Sequence, residues 1–318
     1  MSLPPEFSLI ARHFLPLAGK GALALSDDAA VLDAPPGQLV LAADAMVAGV
    51  HFLPDDPAGT IGRKLLRVNL SDLAAMGAAP FGYLMTVALP AGTTPEWLDA
   101  FGAGLAEDQA EFGLSVLGGD TVSTPGPLTL SLTILGTVPP GQALLRRGAQ
   151  AGDELWVSGT VGDGALGLRA ARGLLADDYL AGRYRLPQPR LALGQALRGV
   201  ARAAMDVSDG LAQDCGHLCR LAGCGAEIQA GAVPLSAAAR AALQDDPALI
   251  SLICTGGDDY ELLFAAAPSD APRVMEAGRV AGTPVTRIGV FTEGTPDVRV
   301  LDPNGHAMSW PRGGWSHF

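Results

Sequence analysis

Aspartates recur where apolar runs stop or where glycine follows, and this pattern constrains the fold more than any other feature of the chain. Asp27 and Asp28 follow Ser26, and Asp44 closes the run Leu39-Val40-Leu41-Ala42-Ala43. Asp72 lies in Val68-Asn69-Leu70-Ser71-Asp72-Leu73-Ala74-Ala75-Met76-Gly77, and Asp120 ends Gly118-Gly119-Asp120 before Thr121. Asp206 and Asp209 frame Asp206-Val207-Ser208-Asp209-Gly210-Leu211. Carboxylates gathered in one site repel unless cations hold them together. Oxygen donors of this kind suit Mg²⁺ or Ca²⁺, and Mg²⁺ commonly shares its shell with phosphates. The chain is therefore expected to place carboxylates at the ends of sheet strands, for metal-assisted phosphate chemistry.

Composition narrows the partners. The 318 residues carry 21 basic and 33 acidic side chains, a formal net charge of -12. No basic excess exists to neutralise a nucleic-acid backbone or an anionic membrane. An acidic protein that handles phosphates must import positive charge, and metal ions are the obvious source. At 48% hydrophobic residues a large core is expected, with a length suited to two domains of roughly 150 residues. The N-terminal stretch carries Glu6, Arg12 and His13 and has no basic start, so it does not read as a signal peptide. No apolar run reaches spanning length. The reading is a cytoplasmic protein. Cys215, Cys219, Cys224 and Cys254 lack zinc-site spacing and read as buried free thiols.

The coarse pattern is mixed α/β. Strands are expected at Leu39–Ala43, Phe81–Leu89, Leu114–Leu117 and Leu128–Val138, with a helix over Ala58–Gly77. A second helix is expected to start at Thr94-Pro95, with Thr94 as N-cap and Pro95 at the first helical position, and to stop near Gly113. Pro139-Pro140-Gly141 breaks the pattern, so the domain boundary is placed in Pro139–Gly152. Beyond it come a strand at Glu154–Val157, a helix from Asp163, a helix near Leu191–Ala201, the segment Arg202–Met205, a helix Leu211–Leu221 capped by Ser208 or Asp209, and strands at Tyr260–Ala267 and Val285–Val290.

Two motifs mislead. Gly162-Asp163-Gly164-Ala165-Leu166-Gly167 fits the dinucleotide fingerprint, but Asp177 and Asp178 come too early for its acidic partner, so a plain glycine-rich turn into a helix is the better reading. No phosphate-binding loop ending in Gly-Lys-Ser/Thr and no protein-kinase motif set is present. Taken singly, the aspartates read as turn residues and caps. Asp72 is the exception, because it lies inside an apolar helix pattern where an unpaired carboxylate is costly, and Asn69 shares its helix face. His51 and the run Gly256-Gly257-Asp258-Asp259-Tyr260-Glu261-Leu262 are unremarkable alone. The aromatic tail Gly313-Gly314-Trp315-Ser316-His317-Phe318 is expected to dock.

Taken in order, Val50-His51-Phe52, Val68–Gly77, Gly118–Thr121, Asp206–Leu211 and Gly257–Leu262 resemble the thiamine-monophosphate kinases, from Phe7-Ser8-Leu9-Ile10-Ala11 to the tail. The resemblance implies a two-domain α/β (α+β) fold like that of aminoimidazole-ribonucleotide synthetase. Residues 1–138 would form an N-terminal domain that closes a barrel with its twin across a homodimer. Residues 152–318 would form a C-terminal α+β domain that completes the nucleotide cleft. The implied reaction is transfer of the ATP γ-phosphoryl group to thiamine monophosphate, with several Mg²⁺ ions. Asp27, Asp44, Asp72, Asp120, Asp206 and Asp209 fall at magnesium-ligand positions. Gly119, Asp120, Arg146 and Ser208 fall at ATP contacts, and His51, Asp258 and Trp315 at substrate contacts. Three residues depart from the family pattern. Ser26 replaces a usual glycine, Ala43 replaces a threonine or serine and leaves only its carbonyl for a metal, and Asp258 replaces a glutamate. Selenophosphate synthetase and the hydrogenase-maturation dehydratase share the architecture, but the N-terminal cysteine of the first and the terminal cysteine of the second are not found here, and the purine-pathway ligases lack the Val50-His51-Phe52 and terminal aromatic signatures. The three departures leave, as the alternative, a non-catalytic sensor of Mg-nucleotide or thiamine phosphate, or another ATP-dependent enzyme of the same architecture.

Overall fold

The computed structural model describes residues 5–310 and 313–315. The chain divides into two compact units: residues 1–73 with 79–140, and residues 74–78 with 141–318.

The first unit is built on a four-stranded sheet of order β1-β4-β2-β3, with β1 Gln38–Val47, β2 Ala79–Pro90, β3 Val116–Thr124 and β4 Thr129–Val138. All neighbours are antiparallel except β2 and β3. Helix α1 is Pro5–Leu9, α2 is Ala58–Ala75 and α3 is Pro95–Phe112. The start of α3 follows its sequence signals: the Thr94 hydroxyl accepts from the Trp97 N–H, Pro95 takes the first turn, and Gly113 closes the helix in the left-handed region. A buried ion cluster ties α2 to α3. Arg67 donates to both oxygens of Asp108 at 2.7 and 2.9 Å, and Arg63 adds a third bond at 2.8 Å.

Alternation along β4 buries Leu130, Leu132, Ile134 and Val138 on one face. The opposite face of the sheet exposes Leu39, Leu41, Leu84 and Val122. β1 runs well past Ala43, and β3 carries Gly118–Asp120 within it. Asp44 and Asp120 are therefore strand-interior residues, and the expectation that they sit beyond strand ends is corrected. Their neighbours supply enough ladder partners to continue both strands, with Asp44 opposite Leu132 and Asp120 opposite Thr86.

The second unit holds a six-stranded sheet of order β10-β7-β9-β5-β8-β6. Its strands are β5 Glu154–Ser158, β6 Ala203–Asp206, β7 Gly225–Gln229, β8 Leu262–Ala266, β9 Val285–Thr292 and β10 Val298–Leu301. Its helices are α4 Asp163–Ala171, α5 Asp178–Arg185, α6 Leu191–Ala196, α7 Leu211–Ala222, α8 Ala237–Asp245, α9 Leu249–Thr255 and α10 Ala271–Ala281. Central β5 and β8 are apolar on both faces and bury Leu155, Val157, Leu263 and Ala265 in one core and Trp156, Leu262, Phe264 and Ala266 in another. The four cysteines are buried free thiols. No helix among the described residues is long and apolar enough to cross a membrane.

Candidate functional site

In the first unit, the signature on α2 is wired to β1. Asn69, fully buried, accepts the Asp44 N–H on Oδ1 at 3.1 Å and donates from Nδ2 to the Leu65 carbonyl at 2.9 Å. One amide, braced on its own helix, thus satisfies the β1 backbone at Asp44 and fixes where Asp44 lies relative to the helix. Asp72, half-buried, follows on the same helix face. Burial raises the pKa of the Asp44 carboxyl above its usual value.

His51 is also held in place. Its Nδ1 accepts the Val47 N–H at 3.0 Å, so the neutral ring carries its proton on Nε2. Buried Lys64 donates to the His51 carbonyl at 3.0 Å. Gly119 is required by close approach, because a Cβ there would stand 1.8 Å from the Met85 carbonyl oxygen. Asp120 is exposed, and its Oδ1 accepts from the Thr121 N–H at 2.8 Å. Asp27 is exposed on a loop that follows Leu23, Ala24 and Leu25, all in the left-handed region with φ of 50°, 56° and 52°.

The sheet does not bring all these groups to one face. Asp44 shares a row with buried Leu132 and Met85, whereas Asp120 pairs with exposed Thr86 and Ala43 lies in the row of exposed Leu84. Asp44 therefore faces the helix side, and Asp120 and Ala43 the other.

In the second unit, the signatures around Asp206 and Asp258 close on each other. Asp206 ends β6 opposite Leu262. Beyond it, the Val207 N–H donates to the Glu261 carbonyl (2.8 Å), the Tyr260 N–H to the Val207 carbonyl (2.8 Å) and the Asp258 N–H to the Ser208 carbonyl (2.9 Å). Gly257 permits this approach, since a Cβ would fall 2.1 Å from the Ser208 carbonyl oxygen. Asp258 and Tyr260 take left-handed φ of 70° and 53°, a strain that the interlocked loops sustain.

Neither Ser208 nor Asp209 caps α7, which corrects the expected cap. Gly210 holds the N-cap position without a side-chain bond. Asp214 reaches back from the first turn instead, its Oδ2 accepting the N–H groups of Asp209 (3.0 Å) and Gly210 (3.1 Å). Burial first, then the charge of Asp206, pushes the Asp214 carboxyl up to about 7. Asp209, Asp214 and His217 each place a ligand atom within 4.8 Å of the others. Arg220 can only donate, so His217 Nδ1 accepts from it at 2.9 Å. Burial, then the charges of Arg220 and Arg146, lowers the His217 pKa. Arg146 thus acts at the same corner, carried by a segment whose Leu145 carbonyl accepts from Ala204 of β6. Trp315 docks here too, its N–H donating to the Asp209 carbonyl at 2.9 Å. Ser316-His317-Phe318 lie outside the described residues.

The misleading glycine motif has a structural role. The N–H groups of Gly162 and Gly164 donate to Asp259 at 2.7 and 2.9 Å, so a carboxyl group of this chain occupies the start of α4. Burial pushes the Asp259 carboxyl up to about 8 against these two donors. Buried Glu261 accepts from Ser158 Oγ (2.6 Å), Arg183 (3.2 Å) and Arg190 (2.7 and 2.5 Å). Sequence reasoning missed Gln213, Asp214, Asp259 and Glu261 as organisers of this corner. The one available signal was a cluster of charged and amide residues in otherwise apolar segments.

Comparison with known proteins fits this arrangement. Residues 26–138 match the N-terminal domain, and residues 150–301 the C-terminal domain, of AIR synthase related proteins. Fold and site together define a member of that class. The thiamine-monophosphate kinase of Caulobacter vibrioides is 46% identical, over 99% of this chain and 91% of that protein. The crystal structure of thiamine-monophosphate kinase from Stenotrophomonas maltophilia K279a superposes with a TM-score of 0.81 at 42% identity, over 89% of this chain and 91% of that one. The complex of AaThiL with AMPPCP and TMP gives a TM-score of 0.78 at 28% identity, over 92% and 91%. The chain belongs to the thiamine-monophosphate kinase family.

Proposed function

We propose that this protein transfers the γ-phosphoryl group of ATP to thiamine monophosphate, giving thiamine diphosphate and ADP, directly and in line. The observation that carries the reading is full-length likeness to thiamine-monophosphate kinases, joined to the interlocked loops at Asp206–Gly210 and Gly257–Glu261 with Trp315 docked on Asp209. A related structure holds AMPPCP and TMP together, which supports the substrate pair.

The carboxylate oxygens fit hard cations, and those of Asp209 and Asp214 converge beside His217. Burial first, then the charge of Asp206, pushes the Asp214 carboxyl up. The proposed Mg²⁺ ligands are Asp27, the Ala43 carbonyl, Asp44, Asp72 and Asp120 in the first unit, and Asp206 and Asp209 in the second. Bound Mg²⁺ would offset the repulsion between two phosphate-bearing reactants. The acceptor oxygen is a phosphate oxygen, already anionic near neutral pH, so no residue need act as a strong general base. Arg146 supplies a fixed cation for the nucleotide phosphates, with Gly119, Asp120 and Ser208 as further ATP contacts. Trp315 offers an aromatic face to a cationic thiazolium ring, and His51 and Asp258 complete the substrate contacts. Asp258 is one methylene shorter than the usual glutamate, but its Oδ1 accepts from the Tyr260 hydroxyl at 3.3 Å, which braces it.

A homodimer is part of the proposal. The exposed row Leu39, Leu41, Leu84 and Val122 gives the four-stranded sheet an apolar face that a second copy would cover, closing the barrel. Stereochemical analysis with chiral γ-phosphoryl ATP tests direct transfer: inversion at phosphorus is expected, and retention would overturn it. Removal of divalent cations by EDTA should abolish turnover and MgCl₂ restore it.

A further inference from the structure

Three hydrogen bonds close a ring between the Asp209 loop and the C-terminal segment. The Trp315 N–H donates to the Asp209 carbonyl at 2.9 Å. Gln213, on the first turn of α7, donates from Nε2 to the Trp315 carbonyl at 2.6 Å and to Asp209 Oδ2 at 3.2 Å. An amide nitrogen has two N–H donors, and here one goes to each acceptor. Gly314 makes the approach feasible, because a Cβ there would fall 2.5 Å from Gln213 Cβ and 2.8 Å from the Asp209 carbonyl oxygen. Trp315 leaves 52% of its surface exposed.

We propose that Gln213 is a positioning residue that couples Trp315 to the Asp209 carboxylate, so that loading a divalent cation at Asp209 tightens the hold on Trp315. This rests on the functional reading above, which places a cation at Asp209 and a thiamine ring at Trp315. A group bonded to a metal-ligating carboxylate fixes its orientation, and the ligated carboxylate in turn fixes that group. Here the group is Gln213, and its second N–H carries the constraint to the backbone of Trp315. Cation loading would then precede and favour capture of the thiamine moiety, while the nucleotide contacts stay unaffected.

The test is hydrogen–deuterium exchange of the C-terminal peptide in the full-length protein, with and without MgCl₂. In the parent, Mg²⁺ should slow exchange at Trp315. Gln213→Met keeps the side-chain length and removes the donors. It should speed that exchange about tenfold, the order of one lost hydrogen bond, and abolish the response to Mg²⁺. In steady state the variant should raise KM for thiamine monophosphate and leave KM for ATP unchanged. Mg²⁺ leaving the parent peptide unaffected, or slowing parent and variant equally, would overturn the coupling. If Gln213→Met does not fold, the parent measurement still decides, and Gly314→Ala should break the same clasp. Exchange needs no turnover, so a protein that forms no thiamine diphosphate would sink the functional reading without deciding this one.

Discussion

Glu261→Gln isolates the charge at the centre of the second unit's polar network. The substitution keeps volume and shape, so packing in β8 is unchanged. It removes the carboxylate that meets Arg183, Arg190 and Ser158 at a site with no solvent exposure, although Arg183 keeps a longer pairing to Asp163 at 3.8 Å. Burial works against the charge on Arg190, and the bond to Glu261 together with the charges of Glu261 and Tyr179 more than offsets it, leaving the Arg190 pKa raised. With the carboxylate gone, the largely buried Arg190 guanidinium faces a neutral amide, and Arg183 keeps only its longer pairing to Asp163. Breaking a buried pair by removing one partner costs about 3–5 kcal/mol. For a unit of this size that is a fall in melting temperature of about 6–20 °C. Scanning calorimetry reads it directly. Arg190→Met should cost less, because the carboxylate keeps Arg183 and Ser158 as donors. A Glu261→Gln midpoint within about 2 °C of the parent would refute the reasoning, since solvent or a neighbour would then be meeting the arginines.

Other expectations follow from the same geometry. Asn69→Leu leaves the half-buried Asp44 N–H without its acceptor, so stability should fall by about 1–3 kcal/mol in urea titration and turnover should fall with it; unchanged stability would sink the proposed tie between α2 and β1. Asp72→Asn should lower turnover by about 10² or more with an unaltered melting curve, and near-normal activity would remove Asp72 from the site. The Asp259 carboxyl, pushed from 3.8 to about 8, holds in the folded state a proton that the unfolded chain has lost between about pH 4 and pH 8. Stability should therefore be fullest below about pH 4 on this account and decline as pH rises through 8; Asp259→Asn should flatten that slope, and equal slopes in urea titrations would contradict it. Leu41→Arg should yield a monomer by light scattering, and a persistent dimer would place the interface elsewhere.

Local structure was legible where the signals were local. Thr94, Pro95 and Gly113 mark both ends of α3, and the apolar period of α2 places Asp72 on a helix. The strand ends were less legible. Leu39–Val40–Leu41 announces β1, but its continuation through Asp44 to Val47 depends on ladder partners in β4, nearly ninety residues away. The cap of α7 was misread for a related reason: Ser208 and Asp209 have the right chemistry, but a carboxylate inside the helix, Asp214, takes the N–H groups instead. The glycine-rich turn before α4 was legible as a turn. Its occupant was not, because Asp259 comes from a segment about a hundred residues further on. The aspartates of the site stand out in sequence because they interrupt apolar runs. Of the residues that hold them, Asn69 shows in sequence only as a neighbour of Asp72 on one helix face, and Gln213 and Asp214 only as polar residues in an apolar helix.

Phosphorylation of thiamine monophosphate by this chain is tested most directly by ADP release from ATP and MgCl₂, with and without thiamine monophosphate, with the product identified by mass. Thiamine diphosphate should form one-for-one with ADP, and ADP release should depend on the acceptor. Tight binding of both ligands with no thiamine diphosphate formed would rule the reaction out.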